Sequence, residues 1–488
     1  MEILRRSPML GVLIAIVAGL ALYDKLGALA FVAGVPVILT GIMFCSYEFD
    51  LPEQWRVLMV AIIFAVLCSL RIYHELSKPV PEISHFNNES ATVNLVREWG
   101  RNYAALIDTD KHGRFVARLQ FNELPEGSRI KFDGYTRNFR RAKNLGEFDE
   151  GRYWKARGAT SWINMSNIRT LPAKFSLPRV RNKLSRALSI YMPELTGQYL
   201  KAAWLGQHTR ELDEKHRRWG TSHLLAVSGF HVAIVILCAR YLFGRKNILL
   251  LSLILWSYII LTGASASAMR AGLMIQTGLF AHVLGRRING VNSVSVAAVI
   301  LLLYRPYLFW DIGWRLSVSA ALAMTAMPGR NSEWFFEVRV TRERVLRLIV
   351  LWLIVSPTVF LVTFPQVAHT FKSVPAVGIF LNLFAPFYFS ITFMIASVVA
   401  VLRMIQIPFS QTLIEAVDGV FLLWEKFADI SANIISYAVR DNSFSLIPVS
   451  WFGVGALILL LCTYMKFSAS RTLILMTCIC FAAFMLFL

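Results

Sequence analysis

The sequence predicts a polytopic α-helical membrane protein of about 10–12 spans with one small β-barrel inserted outside the membrane. Three observations carry that prediction. The chain has 488 residues, of which 56% are hydrophobic and 34 are Phe. Its mean hydropathy is +0.54, too apolar for a soluble globular protein. Apolar stretches recur along the chain, and one long polar region, from about Arg71 to Ser222, interrupts them.

Apolar stretches near 9–23, 27–45 and 56–70 predict three spans in residues 1–73. The opening Met1-Glu-Ile-Leu-Arg-Arg imitates a signal peptide, but further apolar stretches follow closely and no small-residue cleavage site ends the first, so it reads as an uncleaved anchor. Arg5 and Arg6 on the cytoplasmic side would place the polar region on the outer face, although the acidic loop Tyr47–Glu53 is a poor cytoplasmic signature. Later loops favour the same assignment. With spans near 223–243, 247–262, 268–284, 291–304, 308–327 and 346–363, the cations Arg240/Arg245/Lys246, Arg286/Arg287 and Arg339/Arg342/Arg344/Arg347 fall on one side, opposite the polar region.

Within residues 74–175, the segments 92–96, 103–107, 114–121, 129–135 and 158–163 alternate or favour β-branched and aromatic residues, with Asp-Lys-His-Gly and Pro-Glu-Gly turns between them. Five short strands predict a small closed barrel, OB-like, extracytoplasmic by the loop charges; such barrels bind single strands or sugars. Residues 176–222 read as an amphipathic linker. From 71 to 222, about 27 Lys and Arg oppose about 16 Asp and Glu, a net of about +11 on the side where the positive-inside rule does not call for it. An anionic partner accounts for that charge. The run Thr136-Arg-Asn-Phe-Arg-Arg-Ala-Lys-Asn144 puts Arg137, Arg140, Arg141 and Lys143 around Phe139, and Trp99, Tyr103, Tyr153 and Trp154 supply aromatic surface. Phosphate neutralisation with base stacking is how single strands are held. A solvated basic loop beside anionic lipid has the same composition.

In the membrane region 223–488, His223-Leu-Leu-Ala-Val-Ser-Gly-Phe-His231 places two His, Ser228 and Gly229 at the start of an apolar stretch. Polar groups there point into a bundle or pathway, or sit at the membrane surface. Next, Gly263-Ala-Ser-Ala-Ser-Ala-Met-Arg-Ala271 crowds small residues, including Ser265 and Ser267, around Arg270, permitting close helix contact and calling for a partner to Arg270. Asp311 is one candidate. It stands four residues before Arg315, so the two also read as an interfacial pair on one helix face. The stretch 374–402 is long for one span, and Asn382 and Pro386 within it predict a broken or paired helix. Residues 408–440 predict an amphipathic helix, and spans near 450–465 and 470–487 complete the set.

Enzyme signatures are absent from this reading. The six cysteines (45, 68, 238, 462, 478 and 480) all lie in apolar segments, offering no disulfide framework or zinc knuckle. There is no Walker loop, and His223 and His231, about 80° apart on an ideal helix, have no acid to complete a metal site. No cofactor, metal or catalytic set is expected. Ser228 with His231 lacks an orienting carboxylate.

In order, Gly146-Glu-Phe-Asp149 before Tyr153-Trp, His223-Leu-Leu-Ala-Val-Ser-Gly-Phe-His-Val232, Gly263–Ala271, Arg305-Pro-Tyr-Leu-Phe-Trp-Asp-Ile-Gly-Trp-Arg-Leu-Ser317, Ser356-Pro357 and Asn382 with Pro386 resemble the ComEC-type competence channel family. The resemblance implies a multi-pass protein of the bacterial inner membrane that imports single-stranded DNA during transformation, with an OB-like domain on the periplasmic or outer face. It also implies an outer-face DNA receptor, a cytoplasmic helicase-like ATPase and a separate nuclease as partners, besides membrane lipids. Arg315 stands where the family has glutamine, adding a cation. The metallo-β-lactamase-like domain of longer members has no counterpart in these residues, which implies a conduit with no hydrolase of its own. Two other classes remain open from sequence: a membrane-embedded enzyme acting on lipid-linked or cell-wall substrates through His223 and Ser228, and a transporter of another anionic solute.

Overall fold

The computed structural model describes residues 7–46, 52–78, 83–120, 124–140, 142, 147–172, 174–225, 227, 229–244, 247–286, 288–326, 342–371, 374–435 and 438–439. The expected spans near 450–465 and 470–487 lie outside the described residues. Two compact units emerge, one from Met1–Pro79, Leu273–Lys372 and Asn442–Leu488, the other from Val80–Gly272 and Ser373–Asp441.

The first unit begins with α1 (Pro8–Ser46) and α2 (Pro52–Leu76). The backbone of α1 is helical throughout, yet a Cβ on Gly19 would lie 2.4 Å from Val35 Cγ2, whereas 16 residues of straight helix span about 24 Å. The chain therefore doubles back between them, giving the two apolar arms read from the sequence, and Gly19 is what lets the arms touch.

The second unit opens with the barrel: β1 (His85–Trp99), β2 (Asn102–Thr109), β3 (Gly113–Leu119), β4 (Arg129–Arg137), α3 (Glu150–Ala156) and β5 (Trp162–Leu171). The strands close in the order β1-β2-β3-β5-β4. All pairings are antiparallel except the short parallel one, Val116↔Trp162 and Ala117↔Ile163. The fifth strand starts at Trp162, four residues later than the sequence suggests, because Gly158, at φ +86, is spent on the turn after α3. Alternation works as expected: Val93, Ala105, Ile107, Phe115, Ala117, Ile130, Phe132 and Ile163 fill the interior. On β2 and β3 the outward residues Ala104, Leu106 and Val116 are also buried, since Trp154 of α3 covers them.

Three helices follow: α4 (Leu177–Tyr191), α5 (Glu194–Leu205) and α6 (Arg210–Trp219). The presumed linker is core structure. Leu188, Tyr199, Leu200, Leu212 and Trp219 sit in one hydrophobic cluster with residues of two later helices. A short 3₁₀ turn, Ser222–Leu224, leads to α7 (Gly229–Phe243), α8 (Ile248–Leu261) and α9 (Ala266–Val283), the last of which passes from the second unit into the first. The first unit continues through α10 (Gly290–Tyr304), a 3₁₀ turn at Pro306–Trp310, α11 (Ile312–Ala326) and α12 (Arg342–Phe371). Its apolar packing is pinned by a few polar bonds, Ser7 Oγ to Asn289 Oδ1 at 3.2 Å and Gln366 Nε2 to Ser319 Oγ at 3.1 Å.

Returning to the second unit, β6 (Val374–Pro375), α13 (Val377–Met404), α14 (Ser410–Ile434) and β7 (Ala438–Val439) end the described chain. The expected break in 374–402 does not occur: α13 runs unbroken through Pro386. Its buried stripe, Leu381, Ala385, Phe389, Phe393, Ala396 and Ala400, packs in the same cluster as Ile414, Val417, Phe421, Trp424 and Ala428 of α14, which holds the helix together across the proline. The opposite face of α13 exposes Phe380, Phe384, Phe387, Ile391 and Val398. Among the described helices, α13 is long and apolar enough to cross a membrane by itself; Met9–Ala21, His231–Phe243, Ile248–Leu261 and Gly290–Tyr304 are apolar but shorter.

Candidate functional site

The His223–His231 motif runs from the 3₁₀ turn at Ser222–Leu224 into the first turn of α7, held over the helical core of the second unit. Gly220 ends α6 at φ +70, and a Cβ there would lie 2.9 Å from the Gly378 Cα of α13, so only glycine fits the crossing. Asn382 Nδ2 donates to the Gly220 carbonyl at 3.3 Å. His223 stands exposed on the 3₁₀ turn, while Leu225 and Val227 turn inward. Gly229 opens α7, where a Cβ would meet Ala271 Cβ at 3.3 Å and Arg270 Nη2 at 3.4 Å. His231 is buried, its ring 5.2 Å from that of Phe393.

The Gly263–Ala271 motif forms the wall opposite. Gly263 (φ +83) and Ala264 (φ +51) turn the chain from α8 into α9. Ser265 Oγ accepts the Ala268 amide hydrogen at 3.3 Å, capping α9. Ser267 is half-buried, and Arg270 is 8% exposed. Two segments far apart in sequence thus meet at Gly229, with a buried guanidinium beside the contact. Ser228 lies outside the described residues.

Asp311 and Arg315 belong to the first unit. Asp311 precedes α11, and its Oδ1 accepts the Trp314 amide hydrogen at 3.1 Å, capping the helix, while its charge also attracts Arg315 one turn on. Arg315 is half-buried.

On the barrel, Arg137 is exposed at the end of β4 opposite Trp162. Arg140 is largely exposed and faces Glu147 at 3.4 Å. Phe139 is half-buried against Trp162, with ring centroids 6.2 Å apart. Arg141 and Lys143 lie outside the described residues. Of the aromatics expected to offer stacking surface, Trp154 is only 1% exposed and packs against Trp99, Tyr153 and Trp162. It is structural, and cannot stack a base without unfolding α3.

Several polar groups missed in the sequence prove to hold the site. Glu126 and Arg181, each with a side chain 6% exposed, face each other at 3.6 Å between the barrel and α4. Arg181 Nη2 donates to the Leu205 carbonyl at 2.9 Å, and Glu126 accepts from Gln207 Nε2 at 3.2 Å. Burial dominates both, pushing the Glu126 carboxyl above its ordinary pKa and the Arg181 guanidinium below, against their mutual attraction. His216 is fully buried between the Tyr199 hydroxyl at Nε2 and the Thr221 hydroxyl at Nδ1, each 2.9 Å away. Burial drives its pKa down to about 3. Asp418 accepts from the Thr196 amide at 2.9 Å and hydroxyl at 2.6 Å, Glu425 accepts from Lys215 at 3.0 Å, and Asp429 accepts from Trp219 Nε1 at 3.0 Å. The only sequence signal for these was acids on a helix that also carries an apolar stripe. Among the described residues no group of three or more His, Cys, Asp or Glu is placed to hold a metal ion.

The class this arrangement defines is a helical core with two motif segments in contact, built onto a small closed barrel. The family described as Competence protein matches residues 206–466, more than half of the chain, and the chain belongs to that family. It is 28% identical over 210 residues to ComE operon protein 3 of Bacillus subtilis (strain 168), covering 41% of this chain and 26% of that protein. The match thus spans about a quarter of that relative's length. No solved structure matches.

Proposed function

We propose that this protein is a multi-pass conduit of the bacterial inner membrane that takes up single-stranded DNA into the cytoplasm during transformation. Family membership supports a role in DNA uptake. The single observation that carries the finer reading is the coupling of barrel to motif region: Arg181 holds Glu126 of the barrel, the Leu205 carbonyl beside the start of the matched segment, and the surface of Gly263, whose Cβ position is 3.4 Å from its guanidinium. A strand caught on the barrel is thereby presented to the helical core that carries Arg270.

The barrel, with OB-like strand order, collects the strand by charge on the outer face. Arg270 supplies a phosphate-directed cation in the core, His223 and the residues around Gly229 form polar lining, and Gly229 sets the spacing of α7 against α9. The chain performs no hydrolysis; an outer-face receptor delivers DNA, a helicase-like ATPase pulls it, and a separate nuclease removes the other strand.

The test is complementation of a deletion strain, scored by labelled DNA reaching the cytosol. Arg270→Glu is expected to abolish import while surface-bound DNA persists, and Arg270→Lys to retain part of it. Wild-type import by Arg270→Glu would end the conduit reading.

A further inference from the structure

A cleft of about 300 Å³ opens on the outer face of the barrel, lined by Asn88, Lys131, Phe132, Asp133, Asn167 and Arg169. Its walls are built by irregularity. The β1–β4 register slips between Phe86 and Glu89, and the β4–β5 register slips between Lys131 and Asp133. Each bulge puts an asparagine into the left-handed region, Asn88 at φ +60 and Asn167 at φ +51. A bulge re-aims a side chain, and backbone strain kept at two facing positions marks a place the fold is built to hold.

Asp133 organises the pair. Its Oδ1 accepts the Asn88 amide hydrogen at 2.7 Å and its Oδ2 accepts from Asn167 Nδ2 at 2.9 Å. Both carboxylate oxygens are thus occupied by the asparagines, and Arg169 contributes only a longer-range attraction. Lys131 and Arg169 are paired directly across the two strands. Like charges directly opposite repel, which is unfavourable in an empty sheet and favourable once an anion lies between them. Four positions along β4 from Lys131, on the same face, Tyr135 is 45% exposed and its ring lies 5.9 Å from that of His85 on the neighbouring strand.

We infer that this cleft is a nucleotide-sized subsite for an extended single strand: Lys131 and Arg169 grip a phosphate, the Asn88 and Asn167 carboxamides meet the edge of one base, and Tyr135 with His85 carries the next base. This rests on the DNA-uptake reading and adds a site that the basic run 136–144 did not indicate. Asparagine reads a base edge because its amide both donates and accepts, and an aromatic face accepts any base.

The test uses the full chain in detergent, titrated with fluorescent oligothymidylate from low to moderate salt. Lys131→Gln with Arg169→Gln should lower affinity about tenfold and reduce the slope of log K against log salt by about 0.7 for the phosphate released. Asn88→Gly with Asn167→Gly keeps the positive φ without strain and should lower affinity about threefold with the slope unchanged. Wild-type affinity and slope in the lysine–arginine variant, or wild-type affinity in the double glycine variant, would overturn the subsite while leaving the uptake reading standing. If the wild-type chain itself binds no oligonucleotide at low salt, the capture step of the uptake reading falls first, and the subsite with it.

Discussion

The barrel and the helical core of the same unit treat charge in opposite ways. On the barrel's outer face, Lys131 is half-buried and Arg137 and Arg169 are exposed, none with a carboxylate hydrogen-bonded to it among the described residues, and the acid among them, Asp133, spends its oxygens on asparagines. In the core, the buried or half-buried charges are bonded: Lys215 to Glu425, Asp418 to Thr196, Arg181 to the Leu205 carbonyl. The difference follows from solvation. An exposed cation costs nothing to leave open and exchanges its counterions for phosphate, whereas a buried charge costs several kcal/mol unless bonded, so it is fixed where its partner stands. At Lys131, Arg137 and Arg169 the exposed or half-buried charge is left to bind, whereas elsewhere on the barrel Arg114 and Arg129 are held by Asp108 and Asp110, and in the core buried charge sets the geometry.

Removing one buried partner should break that division most severely. Arg181→Met leaves Glu126 desolvated and without its cation, which costs about 3–5 kcal/mol. The loss is expected as a lowered midpoint of thermal unfolding and as protease release of the barrel from the core. Because burial already raises the Glu126 pKa, the sign is fixed: ionisation of the folded state is disfavoured, so the variant should be least stable at high pH and recover as the pH falls and the carboxyl protonates. Glu126→Gln combined with Arg181→Met should restore most of the loss. A single variant as stable as wild type at pH 8 would show that the barrel does not depend on this pair.

A second, smaller effect separates core from barrel by pH. His216 has a folded pKa of about 3 against an ordinary 6.5, so the unfolded chain binds its proton first as the pH drops. Its contribution to stability is fully present above pH 6.5 and declines as the pH falls toward 3, by a few kcal/mol in all. His216→Gln should flatten that part of the stability profile, at the cost of one hydroxyl contact. An unchanged slope between pH 6 and 4 would mean that the imidazole is not held neutral between Tyr199 and Thr221.

How far these regions were legible in sequence depended on the same contrast. The barrel showed itself because strands with one wet face alternate, and Val93, Ile107, Phe115 and Ile130 point inward in step. Trp154 misled because an aromatic beside basic residues has the same composition whether it faces water or, as here, covers Ala104 and Leu106. Residues 176–222 read as a linker because charged side chains recur along them, from Arg179 to Arg218. The rarer Tyr199, Leu212 and Trp219 set the packing, and their partners lie about 200 residues away on α13 and α14. Periodicity reports which face is apolar, and it carries no information on what that face meets. The two motif segments were visible as polar residues in apolar surroundings, but their contact at Gly229 was not, since it depends on how α7 meets α9. Nor were the bulges at Asn88 and Asn167, because asparagine in a strand signals a register slip only once the partner strand is known.

The smallest expected effect sharpens the comparison from the exposed side. Lys131→Gln with Arg169→Gln removes two cations that repel each other across β4 and β5 and forfeits only the longer-range attraction of Arg169 to Asp133. Unfolding of the ligand-free protein should therefore shift by no more than about 0.5 kcal/mol, and toward greater stability, with the gain shrinking as salt screens the repulsion in the parent chain. A loss comparable to that of Arg181→Met would place these side chains among the groups that hold the barrel's shape. The expected gain instead means that the fold tolerates a standing repulsion at this place, which is the energetic mark of a surface shaped around an anion that is not part of the protein.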